Sequence, residues 1–308
     1  MSGAAQGSRR NPDVSEAALF EEERRAVERS VARWLPDPGD YPERIHEAIR
    51  YSVVGGGKRL RPIMALAATR ALGFDAAAMI RCACAIEYVH CCSLVLDDLP
   101  SMDDARVRRG RPTTHRAFGV ATAILAADAL LMHAFRLVAD NGVDVGADGV
   151  RMAGAVRDLA TAVGSYGMVG GQHVDLETAA EGRIDAETLE YIQTRKTGSL
   201  FVVAATMPGT LLGAPEQPLE ALRSYAMKLG FGYQIVDDIL DATGEERVVG
   251  KDVGKDSDKA TFVTLHGVDA ARKTARGLLE AANRSLDDLS GDPTLLRLIA
   301  EQCLTRSS

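Results

Sequence analysis

Residues 91–115 read CCSLVLDDLPSMDDARVRRGRPTTH: an apolar run, then Asp97, Asp98, Asp103 and Asp104, then Arg106, Arg108, Arg109 and Arg111. The end of a helix carries partial negative charge, so each aspartate placed there costs roughly 0.3–1 kcal/mol unless something offsets it. The same device recurs in FGYQIVDDILD (231–241), where an apolar helix ends in Asp237, Asp238 and Asp241. A solvated acidic face is the usual account of a charge run. It fits poorly after SLVL and GYQIV, which should be buried, and binding of a multivalent cation would remove the penalty in both places.

Spacing supports a shared cation. Asp237 and Asp241 are about 40° apart on a helix turning ~100° per residue, so their carboxylates lie on one face. Asp97 and Asp103 would be about 240° apart on a straight helix. Pro100 disfavours helix at Leu99, which lets the chain fold Asp103 back toward Asp97. All-oxygen carboxylate sites suit magnesium, which keeps waters and binds through one or two carboxylates plus substrate phosphates. A phosphorylated substrate is therefore expected.

Basic groups to hold such a substrate are present: Lys58, Arg59 and Arg61 in GGGKRLRP, Arg108 and Arg109, Lys196 in RKTGSL, and Lys251, Lys255 and Lys259 in GKDVGKDSDK. Arginine binds phosphate with a two-pronged fork and lysine as a point charge. Each taken singly has a bland reading as a turn, a helix C-cap or a loop. None forms a P-loop, since no G-x-x-x-x-G-K-[ST] follows a strand. His90, on the turn before Asp97, would by itself be read as a core histidine.

Composition sets the class. The chain has 308 residues, 46% hydrophobic and 26% charged, with a net charge of −7 and no lysine or arginine run, so no electrostatic footprint for nucleic acid exists. Cys82, Cys84, Cys91, Cys92 and Cys303 have no paired C-x-x-C spacing and read as free thiols in a reducing, cytoplasmic compartment. Residues 1–14 read as a disordered tail without a secretory apolar segment. The stretch 117–135 is long enough to span a bilayer, but it contains Asp128 and lacks aromatic and basic flanks, so it reads as a buried core helix and not a membrane segment.

Apolar residues recur at helical spacing almost throughout, and alternating β-branched runs are scarce. The chain is predicted to be all-α, with helices at 14–34, 42–53, 61–72, 76–98, 117–140, 148–170, 185–207, 217–241, 267–289 and 293–303. No composition shift divides them, so one catalytic domain is expected over 15–308.

In their order, GGGKRLRP, HCCSLVLDDLPSMDDARVRRGRPTTH, GQHVDL, KTGSL, GYQIVDDILD and GKDVGKDSDKATF resemble the motifs of the trans-isoprenyl diphosphate synthases, over about residues 45–265. Four residues between Asp98 and Asp103 resemble bacterial and plant members. The family's usual Tyr-Pro is replaced by Phe262-Val263, and MDDARV replaces a more acidic stretch.

The resemblance implies a helical bundle around a deep apolar cavity, and condensation of isopentenyl diphosphate with dimethylallyl, geranyl or farnesyl diphosphate. It implies three magnesium ions, bound by Asp97, Asp103 and Asp237 with Asp98 and Asp241 in support. Arg108, Lys196, Thr197, Gln234, Lys251 and Lys259 would hold the allylic diphosphate. Lys58, Arg61, His90 and Arg109 would hold isopentenyl diphosphate. Asp97, Asp98, Asp237 and Lys196 would carry the chemistry, and a homodimer is expected, with the helix at 117–140 at its interface.

Cys92 and Ser93 would form the wall beneath the growing chain. Relatives that form farnesyl diphosphate tend to have an aromatic there, so two small residues favour the C20 product. Tyr88, with Tyr166 or Met168 from a facing helix, would form the floor. Competing expectations are a C15 synthase of the same fold, a terpene cyclase, which would not need the second basic pocket, and a non-catalytic partner subunit, which would have lost aspartates.

Overall fold

The computed structural model describes residues 16–181, 184–243 and 261–305. The element that organises the rest is α4 (Ile80–Asp97), whose sequence is apolar around its whole circumference. A helix without a polar face must be enclosed. It packs chiefly against α6 (Val120–Asp144), and also touches α1 (Glu16–Val31), α2 (Glu43–Val53), α3 (Leu60–Ala71) and α10 (Ser199–Leu212). Helix α10 is more apolar still, with no charged residue, and is enclosed by α3, α7 (Gly149–Val163) and α11 (Glu216–Thr243).

Outer helices bury one stripe. In α13 (Val268–Arg284) the buried residues are Ala271, Ala275, Leu279 and Ala282, at the three- and four-residue steps of a single face. These small side chains bring α13 close to α11. Ile235, Val236, Ile239 and Leu240 of α11 form an apolar cluster with Ala271, Ala275 and Val263 of α12 (Phe262–His266). That cluster anchors the part of α11 carrying Asp237, Asp238 and Asp241. Helices α5 (Thr114–Phe118), α8 (Met168–Glu181), α9 (Ala186–Ile192) and α14 (Thr294–Thr305) complete the bundle.

The all-α expectation holds, but several boundaries differ. The helix expected over 76–98 begins as a 3₁₀ turn (Ala76–Met79), and buried Asn141 of α6 bonds both ends of the junction. Its Oδ1 accepts from the Cys82 amide at 2.8 Å and its Nδ2 donates to the Ala78 carbonyl at 2.8 Å. The expected 117–140 helix splits at Gly119 into α5 and α6. The 148–170 helix stops at Val163, and residues 164–167 turn before α8. The 185–207 helix is interrupted by a π-helical turn, Gln193–Gly198.

Helix α6 corrects a further expectation. Among the described residues, Ala76–Asp97 and Val120–Asp144 are long and apolar enough to cross a membrane. The first is mostly buried. The second is buried over about a third of its length, chiefly toward α4 and α2, while Ile124, Leu125 and Met132 are exposed. All five cysteines are buried, and none is in a disulfide.

Among the described residues one hairpin interrupts the helical pattern: β1 (Val107–Arg108) pairs antiparallel with β2 (Arg111–Pro112). Arg109 and Gly110 fill the two turn positions with φ of 54° and 73°, as a type I′ turn requires.

Candidate active site

The first acidic segment folds back as Pro100 predicts. Helix α4 ends at Asp97, and the Asp103 amide donates to the Asp97 carbonyl at 2.9 Å. Burial pushes the Asp97 carboxyl up to about 6, with Lys196 pulling it down and Asp103 pushing it further up. Asp98 faces Arg108, whose Nε lies 3.0 and 3.2 Å from its two oxygens and whose Nη2 lies 2.5 Å from Oδ1. This bidentate pair gives Asp98 a visible role in aiming Arg108 beside Asp97 and Asp103, both of which act electrostatically on Arg108.

The hairpin sends successive arginines to different partners. Arg108 reaches back to Asp98. Arg109, at the turn, packs on Gly57, where an added Cβ would sit 3.0 Å from the guanidinium carbon. Arg111 enters where Gly55 has no side chain: a Cβ there would lie 2.3 Å from Nη2. That Nη2 donates to the Tyr51 and Val54 carbonyls, each at 2.9 Å, and the guanidinium stacks over the Tyr51 ring at 4.4 Å. GGGKRLRP is therefore a cradle as well as a break. Arg111 clamps it shut.

Within that motif the basic residues diverge. Arg59 turns inward to Glu28, Glu87 and the Val53 carbonyl, and is a packing cation. Lys58 is exposed. Arg61 stacks over the Phe201 ring at 4.5 Å, and its Nε is buried with no hydrogen-bond partner. His90 sits among Arg61, Arg109, Arg108 and Arg59; burial first, then those charges, hold its pKa well below the usual histidine range. That environment favours the neutral imidazole. The structure thus brings together Arg61, His90 and Arg109 of the isopentenyl diphosphate set.

The second acidic segment meets the first across the π-helical turn, a distortion often found at functional sites. Lys196 Nζ donates to Asp175 Oδ2 at 2.6 Å and also acts on Asp97. The next residue, Thr197, donates from Oγ1 to Gln234 Oε1 at 3.3 Å. Gln234 Nε2 donates to Asp238 Oδ1 at 3.2 Å, and Asp238 Oδ2 accepts from Gln193 Nε2 at 3.2 Å and the Phe262 amide at 3.1 Å. Burial raises the Asp238 carboxyl to about 6 against these donors. Asp237 is half-buried and acts on Arg61; Asp241 is exposed one turn later.

Four residues absent from the sequence-derived set therefore belong to the site. Asp175 and Gln172 come from GQHVDL, Asp238 is the middle aspartate of the second cluster, and Glu87 lies beneath Arg109. Gln172 Oε1 is buried without a partner, and its Nε2 lies 3.6 Å from Met102 Sδ in the first acidic loop. The motif GQHVDL was itself the available signal. Lys251, Lys255 and Lys259 lie outside the described residues.

Among the described residues no three His, Cys, Asp or Glu side chains form a ready-made metal cage. The donor chemistry nevertheless fits magnesium. Asp97 and Asp103 are oxygen donors joined by one backbone bond, and the ion commonly completes its shell with water and substrate phosphate.

The chain-length residues are split. Ser93, four residues before Asp97, shares its face of α4 and bonds the His90 carbonyl at 2.9 Å. Cys92 is buried, and burial raises its thiol to about 12, with Asp128 of α6 and Asp97 adding to the shift. Tyr88 corrects the expectation. Its hydroxyl donates to the Val31 carbonyl of α1 at 2.7 Å, and nine residues place it about 180° around the helix from Asp97. It is a packing residue. Tyr166 is 79% exposed on the turn before α8 and floors nothing in this chain, whereas Met168 is part of the core.

The profile of the family described as polyprenyl synthetase matches residues 42–290. A farnesyl diphosphate synthase of Geobacillus stearothermophilus is 38% identical over 296 residues, covering 95% of this chain and 98% of that protein. Geranylgeranyl pyrophosphate synthase 11 of Arabidopsis thaliana is 41% identical over 275 residues, covering 87% of this chain and 76% of the relative. The crystal structure of an FPP/GFPP synthase from Zymomonas mobilis superposes with a TM-score of 0.83 at 34% identity, covering 94% and 98% of the two chains.

Proposed function

This chain belongs to the polyprenyl synthetase family as a short-chain prenyltransferase, and we propose that it condenses an allylic diphosphate with isopentenyl diphosphate head to tail, 1′ to 4, giving geranylgeranyl diphosphate. The observation that carries the reading is the arrangement of two distinct cationic groups around the acidic segments. Lys196 and Arg108 lie beside Asp97 and Asp103, while Arg61 and Arg109 surround His90. A coupling enzyme needs two anion sites, and a cyclase needs one.

Asp97, Asp103 and Asp237, with Asp98 and Asp241, would hold three magnesium ions. When bound, the ions stabilise the charge that builds on the departing diphosphate. Arg108 and Lys196 bind that leaving group, joined by Lys251 and Lys259. The Thr197 hydroxyl, the Gln234 side chain and the Lys196 carbonyl are fixed dipoles that steady an allylic cation without adding to it. Lys58, Arg61, His90 and Arg109 hold isopentenyl diphosphate so that its double bond faces that cation, and proximity supplies much of the rate. The proton lost afterwards goes to the released diphosphate.

The C20 product rests on Cys92 and Ser93, whose small side chains leave room for a further five-carbon unit. The identity to a farnesyl diphosphate synthase favours C15 as the second reading. The aspartates that a non-catalytic subunit would have lost are all present. A homodimer would cover the exposed Ile124, Leu125 and Met132 of α6, and five buried cysteines without a disulfide suit a cytoplasmic location.

The test is incubation with magnesium, radiolabelled isopentenyl diphosphate and each allylic primer in turn, followed by product sizing. Labelled C20 diphosphate is expected. No product with any primer would overturn the activity, and a C15 end product would overturn the chain length.

A further inference from the structure

One buried carboxylate has no task in this mechanism. Glu87, on α4, is 1% exposed and lies one turn before His90. Its Oε1 accepts from Arg59 Nη1, lies 3.7 Å from Arg109 Nη2, and is approached by Cys91 Sγ at 3.8 Å. Arg59 is already well supplied: Nε and Nη2 donate to the two oxygens of Glu28 at 2.9 and 3.3 Å, and Nη2 donates to the Val53 carbonyl at 2.8 Å. One carboxylate therefore touches two arginines, one of which has a second carboxylate and one of which is at the hairpin turn.

The backbone points the same way. Arg59 and Arg109 are two of three described non-glycine residues with positive φ, at 50° and 54°. Such conformations are uncommon outside glycine and persist where surrounding contacts fix them. Here each is the backbone of a guanidinium aimed at Glu87, one from the start of α3 and one from the hairpin. Gly57, in the same motif as Arg59, leaves the space Arg109 occupies.

We propose that Glu87 is a positioning residue for Arg109, holding one edge of its guanidinium so that the isopentenyl diphosphate anion meets a fork already in place. The proposal rests on the reading of Arg109 as part of that anion's site. An unheld arginine would search many rotamers, and pre-organisation converts that search into affinity. Glu28, reaching from α1, supplies Arg59 with its second carboxylate.

Three variants separate the possibilities by steady-state kinetics, each checked by thermal unfolding. Arg109→Gln should raise KM for isopentenyl diphosphate at least about tenfold, equivalent to ~1.4 kcal/mol; no rise would remove Arg109 from the site, and the proposal with it. Glu87→Gln should raise the same KM about tenfold, with kcat and the allylic KM changed less than about threefold. Glu28→Gln, which takes a carboxylate from Arg59 without touching Arg109, should leave that KM unchanged. If Arg109→Gln has its effect while folded Glu87→Gln does not, the positioning role is overturned. Should Glu87→Gln fail to fold, Glu87→Asp keeps the charge but shortens its reach, and an unchanged KM in that variant overturns the proposal equally.

Discussion

The Lys196 ammonium lies 2.6 Å from the Asp175 carboxylate, tying the π-helical turn to α8. The same ammonium acts on Asp97, so it stands between two carboxylates. Replacing Asp175 by asparagine leaves Asp97 as the nearer competitor for Lys196, drawing it away from the allylic diphosphate. Because the pair is partly exposed, the folding cost should be only about 0.2–1 kcal/mol. Asp175→Asn is expected to lower turnover by about tenfold or more and to raise KM for the allylic substrate but not for isopentenyl diphosphate. Equal changes in both KM values would refute this division.

Gly55→Ala provides a separate test of the cradle. Its φ of 134° disfavours alanine, and the new Cβ would lie 2.3 Å from Arg111 Nη2. Arg111 would have to leave the Tyr51 and Val54 carbonyls, loosening the loop that carries Lys58 and Arg61. Chemical denaturation should show a loss of about 1–3 kcal/mol, and isopentenyl diphosphate should bind more weakly. A variant as stable and active as the parent would show that the clamp is dispensable.

The sequence exposed the acidic segments because their chemistry is local: two aspartates at the wrong end of an apolar helix, and Pro100 where the chain must turn. The hidden partners are non-local. Asp175 meets Lys196 across 21 residues, and Asp238 collects donors from Gln193 and Phe262 across 45 and 24 residues. No spacing rule reports such contacts. The hairpin was hidden for another reason, since ARVRRGR reads as charge before it reads as a turn. Tyr88 was a different kind of error. The helical step of ~100° per residue already puts it about 180° from Asp97, and that arithmetic separates it from Ser93.

Cys92, about 140° from Asp97, is told apart from Tyr88 by its neighbours and not by its angle: its thiol feels Asp97 and Asp128, whereas the Tyr88 hydroxyl is bonded to α1. That contrast yields a product-length prediction. Cys92→Tyr should shift the product from C20 toward C15, seen by product sizing with each allylic primer. Tyr88→Ala should instead destabilise the chain by about 3–5 kcal/mol, as loss of a buried aromatic does, without lengthening the product of whatever enzyme remains folded. An unchanged product profile in Cys92→Tyr, or longer chains from Tyr88→Ala, would overturn the assignment of the wall.

Chelation should separate function from fold. Removing divalent ions with EDTA is expected to abolish turnover while leaving the helical circular dichroism spectrum unchanged, because the described acidic residues form no metal cage on which packing depends. Magnesium should restore activity. Asp237→Ala should lower turnover by roughly two or more orders of magnitude with the same spectrum, and undiminished activity in that variant would remove Asp237 from the site.

His90 gives a pH-dependent prediction with a defined sign. Burial and four neighbouring arginines hold its pKa well below 6.5, so the folded chain keeps it neutral where the unfolded chain protonates it. The unfolded state then binds more protons, and stability must fall as pH drops below about 6.5, approaching ~1.4 kcal/mol per pH unit from this residue. Above that pH the contribution is complete. His90→Gln removes the titration while keeping a neutral polar side chain beside Arg61 and Arg109. Denaturation between pH 7 and pH 5 should therefore show a shallower loss of stability in the variant than in the parent. Parallel curves would mean that His90 is protonated in the folded chain and contributes a positive charge to the isopentenyl diphosphate site.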